Sequence, residues 1–405
     1  MAHSKHSDLL VVGGGVIGMA IAWRARQAGM AVTLLERDRP GEGASRVAAG
    51  MLAPVAEAEF GTAGRGLLEL GLRSLGRWPS FAAELEDASG TPVALGEQGT
   101  LLVARDADDA RELERQLEFR GSLGLEVRRL RASQARALEP ALAPTLRLAL
   151  EAPGDRSVDP RRVLGALERA CRSAGVAIRA HAPVAELALE SDQGSEHGLR
   201  ATGVLLEGGE RVAATHVVLA AGAWSERLGG LPAAARVPVR PVKGQTLRLR
   251  DPAGPGLLTR VLRFRGGYLV PRGDGRYVLG ATVEERGFEL SATAGGVYEL
   301  LRDAHELVPG ISELEIEELS VGLRPGTPDN VPAIGEAGVG GLLWATGHYR
   351  NGILLAPLTA ELVAGMLGGA GGDEELLAHC APGRFAAAST RAAPAASAAV
   401  AGALA

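Results

Sequence analysis

Apolar positions open the chain as an unbroken run, Leu9 to Val12, without the alternation of a half-exposed strand. Such a run predicts a short strand buried on both faces. It breaks at Gly13; from Val16 to Ala28 apolar residues recur at helical spacing until Gly29, and Met30 to Leu35 forms a second apolar run ending on Glu36. Leu67, Leu68, Leu72, Leu75, Phe81 and Leu85 predict a helix over 67–87 that closes at Gly90. A strand over 100–104 and a charged amphipathic helix over 108–120 follow, then a short helix capped by Ser133 that ends before Pro140. Asp159 and Pro160 supply a cap and a first-turn proline for a helix through Ser173, stopped by Gly175. Strands are expected at 176–180, 184–189, 202–206 and 211–213, with 191–198 an exposed loop. His216 to Ala221 is another buried run, followed at once by Gly222-Ala223-Trp224. From Val239 to Val283 the period is two, with Asp274-Gly275 as a hairpin turn, which predicts an antiparallel sheet separate from the parallel one. A helix over 295–307, a strand over 314–323 leading into Arg324, a short strand ending at Trp344-Ala345, a helix over 352–367 and a short helix after Asp373 complete the pattern. The tail from Arg391 is low in complexity and expected to be disordered; no internal repeat is present.

The first strand, turn and helix carry chemistry. Gly13, Gly15 and Gly18 form G-x-G-x-x-G between a strand and a helix. The first glycine permits the tight turn, the second lets a pyrophosphate approach the backbone, and the third lets helix and sheet lie close. Glu36, at the end of the second strand, can accept hydrogen bonds from ribose hydroxyls and would repel a 2′-phosphate, which argues against NADP. Residues 37–54 are small, irregular and glycine-rich where a crossover would normally run, and such a segment can lie against an extended cofactor, favouring FAD over NAD.

Composition narrows the class. The 405 residues suffice for two domains, and 56 glycines suit a fold of tight turns and backbone–ligand contacts. A net charge of −5 without any basic run excludes nucleic acid and anionic membrane as expected partners. Two cysteines, Cys171 and Cys380, form neither a disulfide framework nor a metal spacing, and Cys171 falls in step with Leu164 and Leu167 on a helix face. The first twenty residues superficially mimic an export signal, but Gly13 to Gly15 break the apolar part; with no stretch long enough to span a membrane, a cytoplasmic protein is expected.

Five further segments agree in order and spacing: Ala48–Leu52 (AAGML), Pro241–Gln245 (PVKGQ), Gly266–Arg272 (GGYLVPR), Val321–Gly335 and Ala345–Pro357. Together with the N-terminal turn they closely resemble the glycine oxidases of thiamine biosynthesis, within the D-amino acid oxidase family of FAD enzymes. The resemblance runs from about Asp8 to Leu367. It implies an α/β fold (α+β overall), a Rossmann-like FAD-binding domain interleaved with an antiparallel-sheet substrate domain. The implied division is 7–90, 152–238 and 325–370 for FAD, 91–151 and 239–324 for substrate, and 371–405 as an extension. The implied FAD is dissociable, because no cysteine near Arg350 can tether it. The resemblance assigns it Gly13, Gly15, Val16, Ile17, Gly18, Glu36, Arg37, Ala44, Ser45, Ala49, Gly50, Met51, Val184, Gly222, Tyr349, Arg350, Asn351, Gly352, Ile353, Leu354 and Leu355. The free N–H groups at the start of the helix over 352–367 can stabilise negative charge on a flavin's N1–C2=O edge.

By the same resemblance Arg324 anchors a substrate carboxylate, which a guanidinium holds by two parallel hydrogen bonds; Tyr268 donates to that carboxylate, and Arg350 is a second substrate-side arginine. The implied reaction passes a hydride from glycine Cα to the flavin and then electrons to oxygen. It yields hydrogen peroxide and an imine that hydrolyses to glyoxylate and ammonia or feeds thiamine thiazole synthesis. No general base and no metal are required; His348 abuts the flavin turn, and the other seven histidines read as surface residues. The resemblance further implies a homotetramer. Val283 stands where a larger residue is expected, which would widen the pocket towards sarcosine or D-alanine. A D-amino acid or sarcosine oxidase, a dehydrogenase with another acceptor, and a non-catalytic flavin-binding protein are the alternatives.

Overall fold

The computed structural model describes residues 7–193, 198–369 and 373–385. Ser7–Val12 forms the centre of the first sheet, paired in parallel with Val32–Leu35 on one side and Arg211–Leu219 on the other. Ala177–Arg179 and Leu342–Thr346 extend it in parallel, Ala333–Glu336 closes one edge antiparallel, and the hairpin of Val184–Ser191 and Leu199–Leu206 branches from Arg211–Leu219. Helices Val16–Gln27, Thr62–Ser89, Pro160–Ala174 and Gly352–Leu367 bury their apolar sides against one face, around Trp23, Trp78 and Phe81. Cys171 lies in that core, its thiol donating to the Met19 carbonyl.

The second sheet runs, in order, Glu315–Gly326, Arg240–Arg250, Arg276–Gly280, Gly267–Pro271, Val261–Phe264, Thr100–Ala104, Leu148–Ala152 and Arg128–Arg131. All its pairings are antiparallel except that of Val261–Phe264 with Thr100–Ala104. Helix Ala294–Leu307 packs its apolar side on one face of this sheet. Helix Ala107–Ser122 covers the opposite face at Thr100–Ala104 and Leu148–Ala152.

Several expected boundaries move. The segments 211–213 and 216–221 are one strand, Arg211–Leu219. Its first half pairs with the hairpin and its second half with Ser7–Val12, so the burial pattern changes partway and hides the continuity. The strand expected at 314–323 continues through Arg324 and Pro325 to Gly326. A proline is tolerated there because this strand is the sheet edge. Helix Thr62–Ser89 starts earlier than its apolar spacing and carries Pro79 inside. Ser133 caps nothing: the helix is Ala132–Leu138, with Arg131 at its N-cap and the Gln134 side chain accepting from the Arg131 N–H at 2.9 Å. Strands Leu148–Ala152, Arg128–Arg131 and Ala333–Glu336 were not expected. The tail from Arg391 and residues 194–197 of the 191–198 loop lie outside the described residues, whereas the short helix after Asp373 is Glu374–Cys380.

Candidate functional site: a cavity joining a nucleotide cradle to a guanidinium

One cavity of about 1680 Å³ runs between the sheets. Its volume exceeds the roughly 300–1,000 Å³ of an ordinary small-ligand pocket and suits an extended ligand with space beyond it. Glu36, Arg37, Val184, Trp224 and Gly222 line one end; Gly13, Gly15, Val16, Ile17, Ala44, Ser45, Ala49, Gly50 and Met51 line the middle; Tyr268, Arg324, Tyr349, Arg350, Gly352 and Ile353 line the other end. His181 also borders it, so the histidines other than His348 are not all remote from the site.

The middle is a cradle built by excluding side chains. Gly13 has φ +111°, and a Cβ there would lie 2.4 Å from the Ala220 carbonyl oxygen. A Cβ on Gly18 would stand 1.9 Å from the Gly13 carbonyl oxygen, so Gly18 does not line the cavity but lets the helix lie against the strand below it. At Gly50, φ is +80° and a Cβ would meet the Val158 carbonyl at 2.1 Å. Arg272, half-buried, holds that loop by donating to the carbonyls of Val158 at 2.8 Å and Ala49 at 2.7 Å; desolvation pulls its pKa down to about 10. The Val16 N–H, at the helix start, donates to Ser45 Oγ at 3.1 Å. Glu36 accepts from the Gly14 N–H at 2.6 Å and the Asp38 N–H at 3.0 Å, which fixes its carboxylate at the cavity wall with lone pairs over for a ribose. Arg37 stacks its guanidinium 3.7 Å over the Trp224 ring. These residues fit an FAD: side-chain-free backbone and a helix N-terminus for the pyrophosphate, and a fixed acid for the ribose.

A second helix N-terminus faces the other end. Gly352–Leu367 begins after Asn351, whose side chain makes no cap, so the first N–H groups of this helix stay available to negative charge. The turn before it is held by Tyr349, at φ +48°, whose N–H donates to the Pro325 carbonyl at 2.8 Å. Asn351, Leu354 and Leu355 are not cavity residues. Leu354 and Leu355 lie in the core, with the Leu354 carbonyl accepting from Ser74 Oγ and Trp78 Nε1 at 2.6 and 2.9 Å.

His348 is buried, and burial pushes its pKa down to about 3; its Nε2 lies 3.0 Å from Thr359 Oγ1. It is therefore neutral at physiological pH and serves the turn, not proton transfer. A depressed histidine contributes stability that is complete above the unfolded value near 6.5 and is lost as pH falls towards 3. At pH 5 the loss is roughly 2 kcal/mol from this group. His348→Gln should flatten the acid side of the stability–pH curve; an unchanged acid slope would contradict this account.

Arg324 projects from the edge strand over Gly244 of its neighbour, where a Cβ would lie 2.4 Å from both guanidinium nitrogens Nη1 and Nη2. Its Nη1 donates to the carbonyls of Thr282 at 3.1 Å and Lys243 at 3.3 Å, orienting the fork and leaving donors over for a ligand. Tyr268 uses a similar recess: a Cβ on Gly280, directly across the strand pair, would stand 2.8 Å from the phenol oxygen. Burial pushes the Tyr268 pKa up, partly offset by Arg324, so the hydroxyl is protonated and able to donate. Sequence reasoning missed Gly244 and Gly280; a glycine inside a strand is the signal that a neighbour lies close. It also missed Arg263 and Glu57 at this end of the cavity, which carry no motif. Arg350 pairs with Glu59 at 3.2 Å; burial lowers its pKa, but Glu57 and Glu59 more than offset that. Val283 is 63% exposed at the cavity mouth, so its size bears on the entrance and not on an enclosed pocket wall.

Comparison with known proteins agrees with this geometry. The glycine oxidase of Geobacillus kaustophilus is 38% identical over 362 residues, covering 89% of this chain and 92% of that protein. Its crystal structure superposes with a TM-score of 0.81 at 36% identity, over 89% of this chain and 94% of that one. The glycine oxidase structure from Bacillus cereus gives a TM-score of 0.83 at 28% identity, over 92% and 98%. The bifunctional protein ThiO/ThiG of Synechocystis is 37% identical over 366 residues, 89% of this chain but 51% of that longer protein. The model of the DAO family, described as FAD dependent oxidoreductases, matches residues 8–366. A chain with this fold and cradle belongs to the DAO family of FAD-dependent oxidoreductases, and FAD is its cofactor.

Proposed function

We propose that the chain is a glycine oxidase that converts glycine to its imine and supplies that imine, or the glyoxylate from it, to thiamine thiazole synthesis. The observation that carries this reading is a single cavity with a nucleotide cradle at one end and the oriented Arg324 guanidinium beside Tyr268 at the other. The relatives named glycine oxidase, aligned over most of their length, support the choice of amine. In this reading residues 7–90, 152–238 and 325–370 hold FAD, and 91–151 and 239–324 hold the substrate. A homotetramer in the cytoplasm completes it; the two buried, unpaired cysteines suit a reducing compartment.

FAD held in the cradle would supply an acceptor for the Cα hydride and a route for those electrons to oxygen, with hydrogen peroxide as product. The protein's part is placement. Arg324 holds the glycine carboxylate through two parallel bonds and Tyr268 donates a third, which fixes the direction of Cα. The N–H groups at Gly352 and Ile353 stabilise negative charge with a helix dipole, each about 0.3–1 kcal/mol when exposed and more when buried. Gly244 and Gly280 keep the anchoring side chains from being displaced. The test is stoichiometry: glycine and oxygen should give equal amounts of glyoxylate, ammonia and peroxide. Product without peroxide would point to another electron acceptor, and a preference for sarcosine or D-alanine would move the protein to a neighbouring oxidase.

A further inference from the structure

Glu57 lines the same end of the cavity as Tyr268 and Arg324, and its side chain is only 14% exposed. Among the described residues no N–H or O–H donates to its carboxylate. Arg263 Nη1 is the nearby cation, at 3.8 Å, outside hydrogen-bond distance. The carboxylate therefore faces the cavity with its acceptor sites open to a ligand. Its field reaches both proposed substrate contacts, raising the pKa of Tyr268 and of Arg350.

The backbone that carries Glu57 is held from two sides. The buried Asp155 carboxylate accepts from the N–H groups of Val55 and Ala56 at 3.1 and 3.0 Å. The buried Arg120 guanidinium donates to the carbonyls of the same two residues at 2.7 and 2.8 Å. Two buried side chains thus fix the peptide units directly before Glu57, which is how a functional group is preorganised.

We propose that Glu57 receives the ammonium group of the amino-acid substrate, pairing its carboxylate with that cation. The inference rests on the reading of Arg324 and Tyr268 as the carboxylate anchor. The surroundings require such an acid. Three guanidinium groups, of Arg263, Arg324 and Arg350, face this end and would repel a zwitterion's cation. Glu59 is already paired with Arg350 and is 48% exposed, so Glu57 is the acid available.

Glu57→Gln and Glu57→Asp holoenzymes test this with two ligands: glycine, and acetate, which has the carboxylate but no ammonium. Acetate affinity is read from perturbation of the visible flavin band, glycine affinity from the concentration dependence of anaerobic reduction. In Glu57→Gln, glycine binding should weaken by roughly 30-fold or more, as for truncation of one partner of a buried charge pair. Acetate should bind as well as before or more tightly. Glu57→Asp should retain an intermediate glycine affinity. If Gln does not yield folded, FAD-loaded protein, weaker glycine binding with unchanged acetate binding in the Asp variant carries the test. Glycine and acetate affinities that move together, or not at all, would overturn the proposal. Wild-type oxidation of glycine, measured in the same series, separates the two claims: if it is absent the oxidase reading fails with the proposal, and if it is present only the Glu57 assignment is at stake.

Discussion

Arg324→Ala should lower kcat/KM for glycine by about 2–5 kcal/mol of recognition, the cost of truncating one partner of a buried charge pair. Its guanidinium is oriented by two backbone carbonyls and seated over Gly244, a placement that alanine abolishes. Lysine should recover little, because a point charge cannot reproduce the two parallel bonds of the fork. FAD content and melting temperature should stay near wild type, since Arg324 lies at the substrate end and not in the cradle. Steady-state kinetics with glycine, alongside the flavin absorbance of the purified variant, make the check. Unchanged kinetics would rule out the carboxylate assignment.

Gly13→Ala should do the reverse, emptying the protein of cofactor. Two independent effects coincide there. An L-residue at φ +111° carries backbone strain of order 1–3 kcal/mol, and its Cβ would lie 2.4 Å from the Ala220 carbonyl oxygen. Relieving that contact means parting Ser7–Val12 from Arg211–Leu219, two of the strands at the centre of the first sheet. Overpacking of this sort costs a further 1–3 kcal/mol or so. The variant should purify with little FAD and a clearly lowered melting temperature. Full FAD occupancy with a wild-type melting temperature would contradict the cradle described here.

Much of this was legible in the chain because the chemistry is local. Gly13, Gly15, Gly18 and Glu36 sit within one strand–helix–strand unit, and their roles follow from backbone geometry over short distances. The helix Gly352–Leu367 was legible at both ends, since a glycine turn starts it and its apolar content is continuous. What stayed hidden depends on partners far away in sequence. Gly244 matters because Arg324, on the next strand, lies over it; Asp155 and Arg120 matter because both grip Val55 and Ala56. Glu57 is one acid among many until the fold sets it beside three arginines. Leu354 and Leu355, assigned to the cofactor by motif membership, turn their side chains into the core against Thr62–Ser89, which the motif did not show. Val283, expected to widen the pocket, is exposed at the cavity's edge.

The central claim is that bound FAD in this cavity takes electrons from glycine. It is tested most directly by the visible spectrum of the purified protein during anaerobic addition of glycine, sarcosine and D-alanine in turn, followed by readmission of air. The account predicts a flavin band that glycine bleaches fastest and that air restores with release of peroxide. A flavin that none of the three amines bleaches would contradict it.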